Sequence, residues 1–231
     1  MPGGKGKHTG PATHYEDGWR ARGCEVVAGV DEAGRGPLAG PVVAAAVVLP
    51  VGYSLPGIQD SKLLTPNTRQ RLYESLVKEV SYAVGLQQPP AIDQLNILNA
   101  THAAMREAVH KLVPRPQHVL VDGLPIGDAG FSYTALVKGD RISLSIAAAS
   151  IIAKVTRDGI MEQLDQQYPQ YGFAKHKGYA ARQHLSALEA HGPCVEHRFS
   201  FSPVRRACRE AHRALLEERL GNRQLDLRMD S

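Results

Sequence analysis

The apolar positions in the first third of the chain fall in short unbroken runs. EVVAGVD, residues 25–31, is a stretch of small and β-branched residues closed by acids, and it predicts a buried strand. The glycine- and proline-punctuated AGRGPLAGP then turns the chain into VVAAAVVL, residues 42–49. Two apolar runs joined by so short a glycine-rich link predict antiparallel neighbours. Pro66 predicts the start of a helix reaching about Lys78, with Leu72, Leu76 and Val77 facing inward, and a third strand follows over residues 80–86. Ile92, Leu95, Leu98, Met105, Val109 and Leu112 recur at helical steps and predict one amphipathic helix, stopped by Pro114 and Pro116. HVLVDG and YTALVKGD predict short strands ending in Asp122 and Asp140. The run from Ser145 is apolar almost all round at first, as a helix laid centrally on a sheet is. After the basic, aromatic loop YPQYGFAKHKGY come a helix near residues 180–190 and a last charged helix over about 203–220. Strands and helices intermixed predict an α/β fold with a mixed central sheet flanked by helices.

Composition adds boundaries to this picture. A chain of 231 residues holds one sizeable core, so residues 24–204 are expected to form one domain. Residues 1–23, rich in Gly, Lys, His and Thr without a period, are expected to be a mobile tail, and residues 205–231 a C-terminal helix and tail. The formal net charge of +4 leans toward a polyanionic partner without requiring one. Cys24, Cys194 and Cys208 are odd in number and lack C-x-x-C spacing, which predicts free thiols in a reducing compartment. No apolar run is long enough to span a bilayer, so the expectation is a cytoplasmic monomer that does not engage membranes.

Candidate chemistry enters at the strand ends. Asp31 and Glu32 close the first strand, Asp122 the fourth and Asp140 the fifth. Any one of them could simply turn the chain, as Asp beside Gly often does. Four at the ends of buried strands read better as a carboxylate cluster, whose mutual repulsion calls for cations. Oxygen-only donors suit Mg²⁺ or Mn²⁺ and phosphodiester displacement; the H-E-x-x-H zinc pattern is absent. One difficulty is internal: neighbouring strand residues point to opposite faces, so Asp31 and Glu32 converge only where the chain bends or bulges.

Gly34-Arg35-Gly36 follows directly. The glycines from Gly29 to Gly34 have the spacing of a P-loop, but Arg35 and Gly36 replace its Lys and Ser/Thr, and Pro37 with a strand follows where a helix should start. The element is either a plain turn or a place where backbone amides approach a sugar-phosphate chain, with Arg35 as a planar charged donor. Lys175, His176, Lys177 and Tyr179 likewise form either a solvated face or a nucleic-acid contact with a stacking ring.

Taken together, VAGVDEAGRGPLAGPVVAAAVVL, DSK at 60–62, LVDG at 120–123, VKGD at 137–140, AASIIAKVTRD at 148–158 and YGFAKHKGY at 171–179 resemble bacterial ribonuclease HII in order and spacing, from about residue 26 to 204. The resemblance implies a ribonuclease H fold and hydrolysis of RNA strands in RNA/DNA hybrids and at single ribonucleotides embedded in duplex DNA. It implies metal-binding acids at Asp31, Glu32, Asp122 and Asp140, and a ribose-reading element at Gly34, Arg35 and Gly36. It further implies a junction-sensing tyrosine at Tyr179 and phosphate contacts at Lys62 and Lys154. EHRFSFSPVRRA departs near Arg198 from a more arginine-rich form, and residues after Ala207 fall outside the resemblance, which therefore implies no protein partner for the C-terminal tail. A binding module that has lost catalysis would usually have lost an acid, and all four are present. An integrase-like enzyme would not need the Gly-Arg-Gly element with Tyr179.

Overall fold

The computed structural model describes residues 10–58 and 64–221, so Lys62 and the rest of DSK lie outside the described residues. Five strands are found among them: β1 (Val27–Ala33), β2 (Val42–Val48), β3 (Ser81–Gln87), β4 (His118–Asp122) and β5 (Tyr133–Leu136). They form one mixed sheet in the order β3-β2-β1-β4-β5, with β1, β4 and β5 parallel, and helices flank it, as the apolar pattern predicts.

The chain divides into two compact units. The first comprises Met1–Asp31, Ala45–Ala83 and Val109–Ile152. Its core joins Val27, Leu120 and Leu136 from the parallel strands to Ile146, near the start of a long helix, α4 (Leu144–Gln167). Strand β1 and α4 touch so closely at Gly29 that a Cβ there would fall on the backbone of Ser145 and Ile146. The helix α2 (Pro66–Glu79) starts as predicted, with Pro66 in its first turn and the Thr65 hydroxyl accepting from the Thr68 N–H at 3.2 Å.

The stretch expected to be a mobile tail instead carries a docked helix, α1 (His14–Arg20). Trp19 stacks on His118 at a centroid distance of 3.5 Å. Glu16 is fully buried, and its Oε1 accepts from the Ser143 hydroxyl (2.7 Å), the Ser145 N–H (2.8 Å) and the Ser145 hydroxyl (2.6 Å). The carboxylate thereby caps the positive end of α4. A polar anchor leaves no hydrophobic period to detect.

The second unit comprises Glu32–Ala44, Val84–Ala108 and Ala153–Ser231. Leu38, Met161, Tyr171, Phe173, Leu188 and Phe199 are central in its core. The helix α3 (Pro89–Lys111) is broken at Asn96, whose φ is 66° and whose side chain accepts from the Asn99 N–H at 3.0 Å. That break corrects the single amphipathic face. Ile92, Met105, Val109 and Leu112 are buried, whereas Leu95 and Leu98, on either side of the break, face outward.

Three short elements, α5 (Phe173–His176), α6 (Arg182–His191) and α7 (Ser202–Arg206), precede α8 (Arg213–Leu220). The last predicted helix is thus two helices with a 3-10 turn between them. Arg209 leaves the helical path to donate to the Glu189 and Ala190 carbonyls at the end of α6. No helix among the described residues is long and apolar enough to cross a membrane.

Candidate active site

The parallel register brings two of the acids together. Val30 of β1 lies opposite Val121 of β4, and the next positions along the two strands are Asp31 and Asp122. Parallel neighbours in register point to the same face, so the two carboxylates start side by side. Asp140 is not on a strand as predicted: β5 ends at Leu136, Lys138 takes a left-handed conformation, and Asp140 sits in the 3-10 turn Gly139–Arg141. It is nonetheless tied to Asp122, whose Oδ1 accepts from the Gly139 N–H at 2.6 Å. Asp31 and Asp140 are buried, so ionised side chains here carry a desolvation cost that a cation would offset.

Glu32 follows Asp31 on β1, which runs unbroken to Ala33, and belongs to the second unit. There it pairs with Arg35 at 3.2 Å. Among the described residues no three His, Cys, Asp or Glu side chains form a ready cage for a metal ion. Mg²⁺ does not need one, since it is commonly held by one or two carboxylates together with water and substrate phosphate. Oxygen-only donors, with Asp31 and Asp122 adjacent in register, fit such an ion.

The second unit holds the Gly-Arg-Gly element. Gly34 has φ +96°, and a Cβ there would strike the Arg157 side chain and approach the Pro41 carbonyl at 2.8 Å, so this position excludes side chains. Gly36 opens onto Tyr179: a Cβ on Gly36 would stand 3.4 Å from the Tyr179 ring. Tyr179 is 47% exposed, which rejects a core role for it.

Two buried arginines, whose part the sequence did not disclose, shape this surface. Arg198 donates to the carbonyls of Gly34 (2.6 Å), Arg35 (3.0 Å) and Gly40 (2.9 and 3.0 Å). Arg157 donates to those of Pro41 (2.9 Å), Ala39 (3.1 Å) and Lys177 (3.0 Å), which ties residues 39–41 to the Tyr179 loop. Burial pushes the two guanidinium groups down to about 9 and about 10, so both stay charged at neutral pH. Asp93 fixes the chain just after Arg198 by accepting the Phe199 (3.1 Å) and Ser200 (2.8 Å) N–H groups. The only sequence signal was a charged residue inside the apolar-flanked strings KVTRD and EHRFSF. Lys154 is paired with Asp158 at 2.7 Å.

Residues 28–204 match the family described as ribonuclease HII. A ribonuclease HII of Bacillus cereus (strain G9842) is 49% identical over 192 residues, covering 83% of this chain and 74% of that protein. The crystal structure of ribonuclease H2 from Pyrococcus horikoshii OT3 superposes with a TM-score of 0.70 at 31% identity, over 79% of this chain and 96% of that one. Bst-RNase HIII, solved in complex with Mn²⁺, gives a TM-score of 0.61 at 20% identity over 84% of this chain and 71% of that one, a likeness of fold alone. Fold and relatives define a hydrolase of the ribonuclease H type. The chain belongs to the ribonuclease HII family, which cleaves the RNA strand of RNA/DNA hybrids.

Proposed function

We propose that the chain also nicks duplex DNA on the 5′ side of a single embedded ribonucleotide, leaving a 3′-hydroxyl and a 5′-phosphate. The observation that carries this reading is the exposed Tyr179 ring set against Gly36, in a loop whose carbonyls are already taken up by Arg157 and Arg198. Such a surface can stack on a sugar or base while the glycine backbone meets the 2′-hydroxyl. The 2′-hydroxyl is read and not consumed, because carboxylates and no paired histidines serve the strand-end site. Water is therefore the nucleophile: its oxygen joins phosphorus, and the 3′ oxygen departs with a proton.

Asp31, Glu32, Asp122 and Asp140 are the residues that would hold Mg²⁺ or Mn²⁺. The ion, when bound, supplies positive charge to the attacking and leaving oxygens. The Gly139 amide holds the Asp122 carboxylate in one orientation, and Arg35 and Tyr179 register the ribose. Lys154 and Lys62 serve phosphates of the flanking strand. The activity is that of a cytoplasmic monomer, consistent with free thiols at Cys24, Cys194 and Cys208.

The test is a DNA duplex carrying one ribonucleotide, incubated with Mg²⁺ or Mn²⁺. The expected product is a single nick 5′ of the ribose with a 3′-hydroxyl end, abolished by Asp122→Asn. A 2′,3′-cyclic phosphate, or tight binding without cutting, would overturn the reading.

A further inference from the structure

A chain of buried histidines ends on the backbone of Tyr179. His184 and His197 are both fully buried. The Cys194 N–H lies 3.0 Å from His197 Nδ1, His197 Nε2 lies 3.0 Å from His184 Nε2, and His184 Nδ1 lies 2.8 Å from the Tyr179 carbonyl oxygen. His197 Nδ1 also lies 3.2 Å from Cys194 Sγ and 3.3 Å from the Cys194 carbonyl, which already accepts the His197 N–H at 3.0 Å; the Cys194 amide is its shortest partner, and that contact sets the polarity. A backbone N–H only donates and a carbonyl only accepts. His197 Nδ1 therefore accepts, its Nε2–H donates to His184 Nε2, and the His184 Nδ1–H donates to Tyr179. This order requires both rings to be neutral, and burial lowers His184 to about 4 and His197 to about 3.

The surroundings hold the relay rigid. His176 stacks on His184 at 4.6 Å and 13°, accepts from the Gly178 N–H at 3.3 Å, and donates to the Tyr171 carbonyl at 2.9 Å. Tyr171 packs edge-on against His197 at 4.8 Å, and Phe173 edge-on against His184 at 5.4 Å. The Tyr179 carbonyl accepts the Ala181 N–H (2.8 Å) as well as the His184 ring, and the Tyr179 N–H donates to the His176 carbonyl (3.0 Å), so the backbone that carries the ring is held on both sides and His184 supplies its one side-chain anchor among the described residues.

We propose that His184 and His197 are positioning residues for ribose recognition: the one-way hydrogen-bond relay from the Cys194 amide to the Tyr179 carbonyl sets the Tyr179 ring against Gly36. This rests on Tyr179 reading the ribose, as argued above. His184→Leu cuts the relay at the carbonyl. His184→Asn keeps it there, because the asparagine amide nitrogen replaces Nδ1.

The decisive measurement is a double-mutant cycle in kcat/KM on a duplex with one ribonucleotide. His184→Leu should lower kcat/KM about tenfold, mostly through KM, with His184→Asn recovering most of the loss. In a Tyr179→Ala background the same His184→Leu change should cost less than about twofold, because its effect passes through the ring. Equal losses in both backgrounds would overturn the relay and leave His184 a purely structural residue. If Tyr179→Ala alone changes nothing, the ribose reading itself falls, which is a separate outcome.

Folding of the leucine variant is not essential to the test. Nitrogen-15 imidazole shifts of the unsubstituted protein at pH 7 should find His197 protonated at Nε2 alone and His184 at Nδ1 alone. The opposite tautomers, or an imidazolium at either ring, would refute the proposal.

Discussion

Replacing Glu16 gives the most direct test of how the N-terminal segment is held. Glu16→Ala removes the acceptor for two hydroxyls and for the Ser145 N–H in the first turn of α4. The hydroxyls can partly compensate each other, since Ser143 Oγ and Ser145 Oγ are 3.2 Å apart. The amide cannot. Losing a charge-assisted bond together with a helix cap at a fully buried site should cost about 3–4 kcal/mol. For a domain of this size that is a fall of roughly 6–16 °C in Tm. Glu16→Gln separates the causes: its carbonyl keeps the Oε1 contacts, and its NH₂ takes the place of Oε2, which is buried without a hydrogen-bond partner. Its cost should be about 1 kcal/mol or less, mainly lost attraction to the helix dipole. Trp19 is the sole tryptophan and stacks on His118, so its emission reports the docking of α1 while circular dichroism reports global melting. An alanine variant within about 0.5 kcal/mol of the parent, a difference typical of ordinary surface substitutions, with Trp19 emission unshifted, would refute the capping argument.

Three further expectations follow the same logic. Gly36→Ala should fold with little change in stability, since its φ is unstrained and the methyl meets Tyr179 at ordinary contact distance, yet cleavage at a single ribonucleotide should drop several-fold; unchanged kinetics would exclude close approach there. Arg198→Lys should weaken ribonucleotide cleavage and lower the urea midpoint, because one ammonium cannot serve the Gly34, Arg35 and Gly40 carbonyls together; a variant equal to the parent in both assays would count against this role. Buried neutral His184 and His197 have lowered pKa values, so the unfolded chain takes up protons first as pH falls below about 6.5. Stability should fall from there toward pH 4, by up to about 1.4 kcal/mol per pH unit for each histidine. Urea midpoints at pH 7 and 5.5 that coincide would refute that assignment.

The strands, with Asp31 and Asp122 on two of them, were legible because their signals are local. VVAGVD, VVAAAVV and HVLVD are apolar runs of strand length, and the Thr65-Pro66 start of α2 is written in two residues. What escaped depends on single polar atoms or on one backbone angle. Glu16 anchors α1 through hydrogen bonds that no hydrophobic count registers. Asn96 breaks α3 with one positive φ, and Leu95 and Leu98 beside the break match the period and still face solvent. Arg157 and Arg198 defeat the rule that charge lies outside, since backbone carbonyls serve as their partners. For the candidate site, the acids could be named from sequence, but the neighbourhood of Asp31 and Asp122 is a matter of strand register, which pairs residues about ninety positions apart.

The bond from the Gly139 amide to Asp122 has a thermodynamic side. A carboxylate on a two-torsion side chain normally loses rotational freedom when it captures a ligand, and that loss weakens binding. At Asp122 a 2.6 Å contact has already removed much of that freedom during folding. The entropy is lost once, when the chain folds, and not again each time a ligand binds there.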